Sequence, residues 1–154
     1  MPRSMSEIAE LMRDIDICTM ATVAPSGAIA ARPMSNNREV DFTGDAWFFT
    51  LASTHTVPQI AANPNVGISY QRTGGLKGLV GMPGPFVHVE AMAELIRDKA
   101  AFAEHWHKEL DAWFENGIDT PGLVLIQTRA TSVHYWDGTE EGEVPLAATP
   151  VPSA

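Results

Sequence analysis

The stretch AARPMSNNREVDFTGDAWFFTLASTHTVPQIAANPNVGISY, Ala30 to Tyr70, decides how this chain is read. It brings an Arg-Pro-Met segment (Arg32 to Met34), an Ala-Trp-Phe-Phe-Thr run (Ala46 to Thr50) and a Ser-Thr-His-Thr turn (Ser53 to Thr56) into forty-odd residues. The aromatic run predicts a strand over Ala46–Leu51, with Trp47 and Phe49 on one face and Phe48 and Thr50 on the other. The turn opens a short helix, Thr56 to Ala62, in which Pro58 is tolerated in the first turn and Asn63-Pro64 ends the run. A helix that begins where a strand stops aims its unpaired N–H groups at that strand's end. Arg32, the aromatic strand and this helix start together outline a pocket for a ligand with an anionic end and a flat aromatic part.

Working back toward the N-terminus, Ile17–Ala24 and Ala28–Met34 read as a hairpin about the turn Pro25-Ser26-Gly27. Pro33 has no backbone donor, so the second of these strands is expected to be interrupted or at a sheet edge. Met5, Ile8, Leu11, Met12 and Ile15 have the spacing of one helical stripe over Ser4–Asp14, and Ser4 with Glu7 has the pattern of a capping box. Working forward, Val66–Tyr70 is a strand and Arg72 to Gly84 is a glycine-rich loop, long enough to fold over a site. Phe86–Ile96 reads as a long, bent strand. Asp98 suits the N-cap of a helix running to about Phe114, in which Phe102, Trp106, Leu110 and Trp113 make an aromatic stripe that packs as core. Leu123–Thr128 and Thr131–Trp136 are the last strands. From Asp137 onward the acidic, then Pro/Ala-rich, sequence reads as a mobile tail over 138–154, with the folded domain at 1–137. Strands in this order do not alternate with helices, so the expected class is mainly β, a small antiparallel barrel with peripheral helices.

Composition narrows the function. The chain has 154 residues and a formal net charge of −9, with only 10 Lys and Arg, which argues against a nucleic-acid backbone as partner. One small phosphate needs only local N–H groups and a cation, so it is not excluded. No apolar run reaches the roughly 20 residues of a membrane span, and no signal peptide pattern is evident, so the expected location is cytoplasmic. The single cysteine, Cys18, is expected in a buried strand. The histidines offer no metal set: His105 and His107, two apart on the expected helix, face opposite sides. No Ser-His-Asp or paired-carboxylate order stands out, and Gly74 to Gly84 lacks the Lys-Ser/Thr ending of a phosphate-binding P-loop.

Taken together, RPM at Arg32 to Met34, GDAWFFT at Gly44 to Thr50, STHT, NPNVGISY at Asn63 to Tyr70, HWHKELDAWF and VHYWD resemble the pyridoxamine 5′-phosphate oxidase-like split-barrel flavoproteins, above all their general stress protein subgroup. The resemblance runs from about Ile8 to Asp137. It implies a six-stranded split barrel that forms a homodimer, with flavin mononucleotide (FMN) at the subunit interface. The residues it implicates in FMN binding are Arg32, Pro33, Met34 and Ser35 along the ring and toward the phosphate. Phe49 and Thr50 lie under the ribityl chain, Ser53, His55 and Thr56 at the phosphate, and Trp136 near the ring from the partner subunit. Two departures stand out. Relatives usually carry a lysine where this chain has Thr56, a cation that Arg72 or Lys77 could replace. Oxidases of pyridoxamine phosphate have a basic segment after the final Trp, where Asp137-Gly138-Thr139-Glu140 stands here. The resemblance therefore implies an FMN-dependent oxidoreductase, with NAD(P)H or another small redox substrate, that does not oxidise pyridoxamine phosphate itself. The alternatives are a non-enzymatic flavin- or small-ligand-binding stress protein, or a split barrel using haem or the deazaflavin F420.

Overall fold

The computed structural model describes residues 3–36, 42–72, 81 and 84–146. The glycine-rich loop with Lys77, most of the polar loop before Asp45, and the Pro/Ala-rich end from 147 lie outside them. The chain begins with α1 (Met5–Arg13), whose capping box forms as its sequence foretells: the Ser4 hydroxyl accepts from Glu7 N and the Glu7 carboxylate accepts from Ser4 N. Its stripe, Ile8, Ala9, Leu11 and Met12, is buried.

The strands are β1 (Ile17–Val23), β2 (Ile29–Ser35), β3 (Asp45–Leu51), β4 (Asn65–Gln71), β5 (Phe86–Ile96), β6 (Leu123–Asp137) and β7 (Glu140–Pro145), with α2 (Thr56–Ala62) between β3 and β4. They form one antiparallel sheet in the order β2-β1-β4-β5-β6-β3, with β7 added to β6. Period-2 alternation sends Cys18, Met20, Ile68, Tyr70, Val87 and Val89 to one face, where they bury against α1. β2 lies at one end of this order, consistent with Pro33, which stands opposite Thr19. β3 lies at the other end.

Three expectations are corrected. The strand count is seven rather than six, because Glu140–Pro145, read as part of a mobile tail, hairpins back onto β6 as β7. The two last strands of the sequence reading are one strand of 15 residues. Its apparent break is a bulge: Glu90 pairs with Ser132 and Ala91 with Ala130, so Thr131 is extra, and its hydroxyl donates to Glu90 O at 3.2 Å. This length also explains β7. β3 covers β6 only from Leu123 to Arg129, and β7 takes over the same edge from Ser132 to Asp137, leaving no long unpaired edge there.

The third correction concerns the helix expected from Asp98 to Phe114. Asp98 does cap α3 (Lys99–His105) through Ala100 N, but Trp106 and His107 are extended and a 3-10 turn follows over Lys108–Ala112. Neither glycine nor proline marks the break. Tertiary packing overrides local propensity here: Trp106 turns in to lie edge-on to Phe49, at 5.0 Å, and Phe114, at 5.9 Å, and its indole N–H donates to Asp111 at 3.0 Å. Phe49, Phe102, Leu110, Leu123 and Leu125 form a second, smaller core beneath this segment. Trp113, expected in the core, is 66% exposed. His105 stacks on Trp47 at 4.4 Å while His107 is buried, so the two do not share a helix.

Two predictions follow from the packing. A Cβ at Gly142 would lie 2.6 Å from Cζ of Tyr135, whose ring is 1% exposed and cannot yield. Gly142→Ala should therefore lower unfolding free energy by about 1–3 kcal/mol in urea titrations, the usual cost of overpacking, and an unchanged midpoint would refute the placement of β7. Burial pushes the Cys18 thiol from 9.0 up to about 12. The folded state keeps a proton that the unfolded chain gives up, so this contribution is full below about pH 9 and is lost as the pH rises toward about 12. Native protein should resist thiol reagents at pH 8 until denatured, and its stability should fall in that alkaline window less steeply in Cys18→Ala.

Candidate functional site

β2 and β3 both edge the sheet without pairing to each other among the described residues, and both wall one cavity of about 710 Å3. That volume lies within the roughly 300–1,000 Å3 of small-molecule sites. Arg32, Pro33, Met34 and Ser35 line it from β2, Phe49 and Thr50 from β3, and His55 and Thr56 from the start of α2. These eight were expected from sequence. Ser53 is exposed and outside the lining, while Trp136, expected to come from a partner subunit, does not line this chain's own cavity: it lies at the end of β6, stacked on His134 at 4.2 Å and edge-on to Phe86 at 5.4 Å.

The sequence reading missed Thr54, Gln59, Leu110, Trp113 and Phe114, which complete the wall. For Leu110, Trp113 and Phe114 the aromatic stripe was the signal, but the unbroken helix assigned them to core. Gln59 carries a signal in its spacing, one turn after Thr56 on the same helix face.

Arg32 is the cationic group of the cleft. Its Nη1 donates to Met20 O at 3.2 Å and to Thr22 Oγ1 at 2.7 Å, and its Nη2 donates to Gln59 Oε1 at 3.0 Å. Thr22 in turn donates to Gln59 Oε1 at 2.6 Å. All three acceptors are neutral, and among the described residues no carboxylate pairs with Arg32 or lines the cavity. Burial alone draws its pKa below the usual arginine value, yet a guanidinium stays protonated. Nearby, Thr50 and Thr54 hydroxyls are 3.3 Å apart, and Thr54 donates to Leu51 O at 2.8 Å, fixing the turn between β3 and α2. His55 occupies the N-cap position but makes no side-chain cap bond. Thr56 is buried, with a hydroxyl in place of a longer cationic side chain. Pro33, Met34, Leu110, Trp113 and Phe114 supply the apolar remainder. The arrangement thus couples one fixed, carboxylate-free cation and several hydroxyls to an apolar, aromatic trough. No cluster of His, Cys, Asp or Glu suited to a metal occurs among the described residues. No helix among them is long and apolar enough to cross a membrane.

Comparison with known proteins gives a consistent result. The family model described as pyridoxamine 5′-phosphate oxidase like matches residues 3–150. No curated protein sequence matches. Among solved structures, a Clostridium acetobutylicum protein related to general stress protein 26 superposes with a TM-score of 0.77 at 16% identity, covering 92% of this chain and 94% of its own. General stress protein 26 of Bacillus anthracis gives 0.71 at 20% identity, covering 92% and 98%. A haem-binding protein of Mycobacterium smegmatis gives 0.73 at 17% identity, covering 94% of this chain and 59% of its own. At these identities the likeness is one of fold.

Trp113 offers a reporter of the cleft. Because it is exposed, Trp113→Phe should change stability by less than about 0.5 kcal/mol. If the cavity is the binding site, the same substitution should remove a large part of the fluorescence quenching that a bound aromatic ligand produces in the native protein; full retention of the quenching would place the ligand elsewhere.

Proposed function

The chain belongs to the pyridoxamine 5′-phosphate oxidase-like family, and from that premise we propose that the cleft between β2 and β3 holds FMN and that the protein is an FMN-dependent oxidoreductase of the cytoplasm. The observation that carries this reading is Arg32: a half-buried guanidinium, unpaired by any described carboxylate, at the edge of an apolar cavity of about 710 Å3. A buried charge left without an anion is costly, and a ligand phosphate supplies the missing partner.

The residues present fit the group. Arg32, with Thr54, His55 and Thr56, would hold the phosphate, Phe49 and Thr50 would lie under the ribityl chain, and Pro33, Met34 and Ser35 would lie along the ring. When bound, FMN supplies hydride exchange at its N5, and that chemistry is the cofactor's own. The protein's part would be to hold the ring with β2 and the apolar wall that includes Leu110 and Phe114, and to admit NAD(P)H or another small redox substrate to it. By the same resemblance pyridoxamine phosphate is not the expected substrate: Asp137 and Glu140 follow Trp136 where its oxidases carry a basic segment, and both are held by Arg3. Ile17, 45% exposed in the cavity lining, and Ile29, 71% exposed on β2, favour a homodimer in which a second copy covers this edge of the cleft.

A second reading, haem in the same cleft, is favoured by the likeness to the mycobacterial haem-binding protein and by His55, whose imidazole lines the cavity without a capping bond.

Protein purified from riboflavin-supplied cells should be yellow and release FMN on denaturation, whereas a Soret band would select haem. Arg32→Ala should weaken FMN binding by about 10- to 100-fold, the loss of roughly 1.5–3 kcal/mol for a charged hydrogen bond. Colourless protein whose tryptophan fluorescence ignores added FMN would end the flavin reading. Stopped-flow reduction by NADPH or NADH separates an enzyme from a storage or sensing protein.

A further inference from the structure

A guanidinium has five N–H donors in a fixed planar fork: two on each terminal nitrogen and one on Nε. In Arg32 the fork is already partly spent. Nη1 uses both of its hydrogens, on Met20 O and Thr22 Oγ1, and Nη2 uses one, on Gln59 Oε1. Thr22 Oγ1 and Gln59 Oε1 lie 2.6 Å apart, joined by their own hydrogen bond. Two linked oxygens that accept from Nη1 and Nη2 together occupy the end of the fork. Among the described residues, what remains is the side of it, Nε–H and the adjacent hydrogen of Nη2, the edge that grips two oxygens of one anion in parallel.

We propose that Thr22 and Gln59 are positioning residues: as a hydrogen-bonded, uncharged pair they hold the end of the Arg32 fork so that its Nε–Nη2 edge and its full positive charge are presented to the phosphate of the bound cofactor. This rests on the flavin reading above and adds to it two residues that take no part in the ring's chemistry. Thr22 is 1% exposed, so its place on β1 is fixed by the core, and Gln59 projects from α2, so the pair ties β1, the neighbour of the strand that carries Arg32, to the helix beside the cleft. Neutrality is the point of the design. A carboxylate at either position would hold the fork as well but would cancel the charge, and the chain has no lysine at Thr56 to compensate.

The test compares FMN with riboflavin, which has the same ring and ribityl chain but no phosphate. Thr22→Val keeps the volume and removes the hydroxyl, Thr22→Ser restores it, Gln59→Leu removes the acceptor, and Gln59→Glu keeps an acceptor of the same reach while adding a negative charge. Fluorescence titration should show FMN affinity reduced about tenfold in Thr22→Val, Gln59→Leu and Gln59→Glu, the scale of one misplaced charge-assisted hydrogen bond. Riboflavin affinity should stay within about twofold in all of them, and Thr22→Ser should behave as the native protein. Urea midpoints identify any variant that fails to fold, and the serine and glutamate variants carry the test in that case. Equal weakening of FMN and riboflavin would mean that the pair only shapes the pocket, and FMN binding undiminished in Gln59→Glu would mean that neutrality is irrelevant; either overturns the inference while leaving the flavin reading intact. Native protein that binds neither flavin overturns both.

Discussion

Among the described residues the two ends of the sheet do not pair, and the rest of the molecule depends on that. Hydrogen bonding runs from β2 through β1, β4, β5 and β6 to β3 and stops. Had β2 and β3 paired, their inward side chains would have filled a closed barrel, as happens in small barrels generally. Instead Ala30 to Ser35 and Phe49 to Leu51 face a shared hollow, and α2 and the 3-10 turn after α3 close its ends. Pro33 contributes directly, because a residue without a backbone donor suits a strand that has no neighbour on one side.

Inside that hollow the energetics turn on Arg32, the one Lys or Arg among the described lining residues. The protein as a whole is strongly acidic, with a formal charge of −9, yet the cleft contains Arg32 and no carboxylate among its lining residues. Net charge governs long-range encounter, whereas a half-buried site is set by the groups within a few ångströms. Thr22, Gln59 and Met20 take three of the N–H groups of Arg32 without neutralising it, so the guanidinium remains electrostatically available. The same physics explains why the sequence reading could find Arg32 but not its supports. Thr22 lies ten residues away on β1 and Gln59 twenty-seven away on α2, and only the folded register brings them together.

What could be read from sequence was what is decided locally. The Ser4–Glu7 capping box, the Thr56–Ala62 helix between its strand and Asn63-Pro64, and the alternation of β1 and β5 all follow from residues within one or two turns of each other. The features that escaped are decided at a distance. The break at Trp106 comes from Phe49 and Phe114 rather than from any helix-stopping residue. β7 is acidic and lacks an alternating pattern, yet it forms because Ser132 and His134 on β6 meet Glu143 and Glu141, and Gly142 leaves space for the Tyr135 ring. The bulge at Thr131 looked like a gap between strands because a bulge interrupts the period without ending the ladder. Eight of the ten residues expected at the site converge on the cleft because their order along β2, β3 and α2 is itself the cleft's outline, whereas Ser53 stands apart from it and Trp136 was expected from a second copy.

Arg3 joins parts of the chain that are far apart in sequence. Its backbone N–H donates to the Tyr135 hydroxyl at 2.9 Å, and its guanidinium meets Asp137 at 2.8 Å and Glu140 at 2.9 Å. These partners are 132 to 137 positions away. A contact of that span forms only after most of the intervening polypeptide has been ordered, since loop closure must be met before it gives any return. On a ribosome, the segment ahead of α1 therefore waits until the strands up to Glu140 have emerged before it reaches its mate, so the β6–β7 corner sets late within this domain.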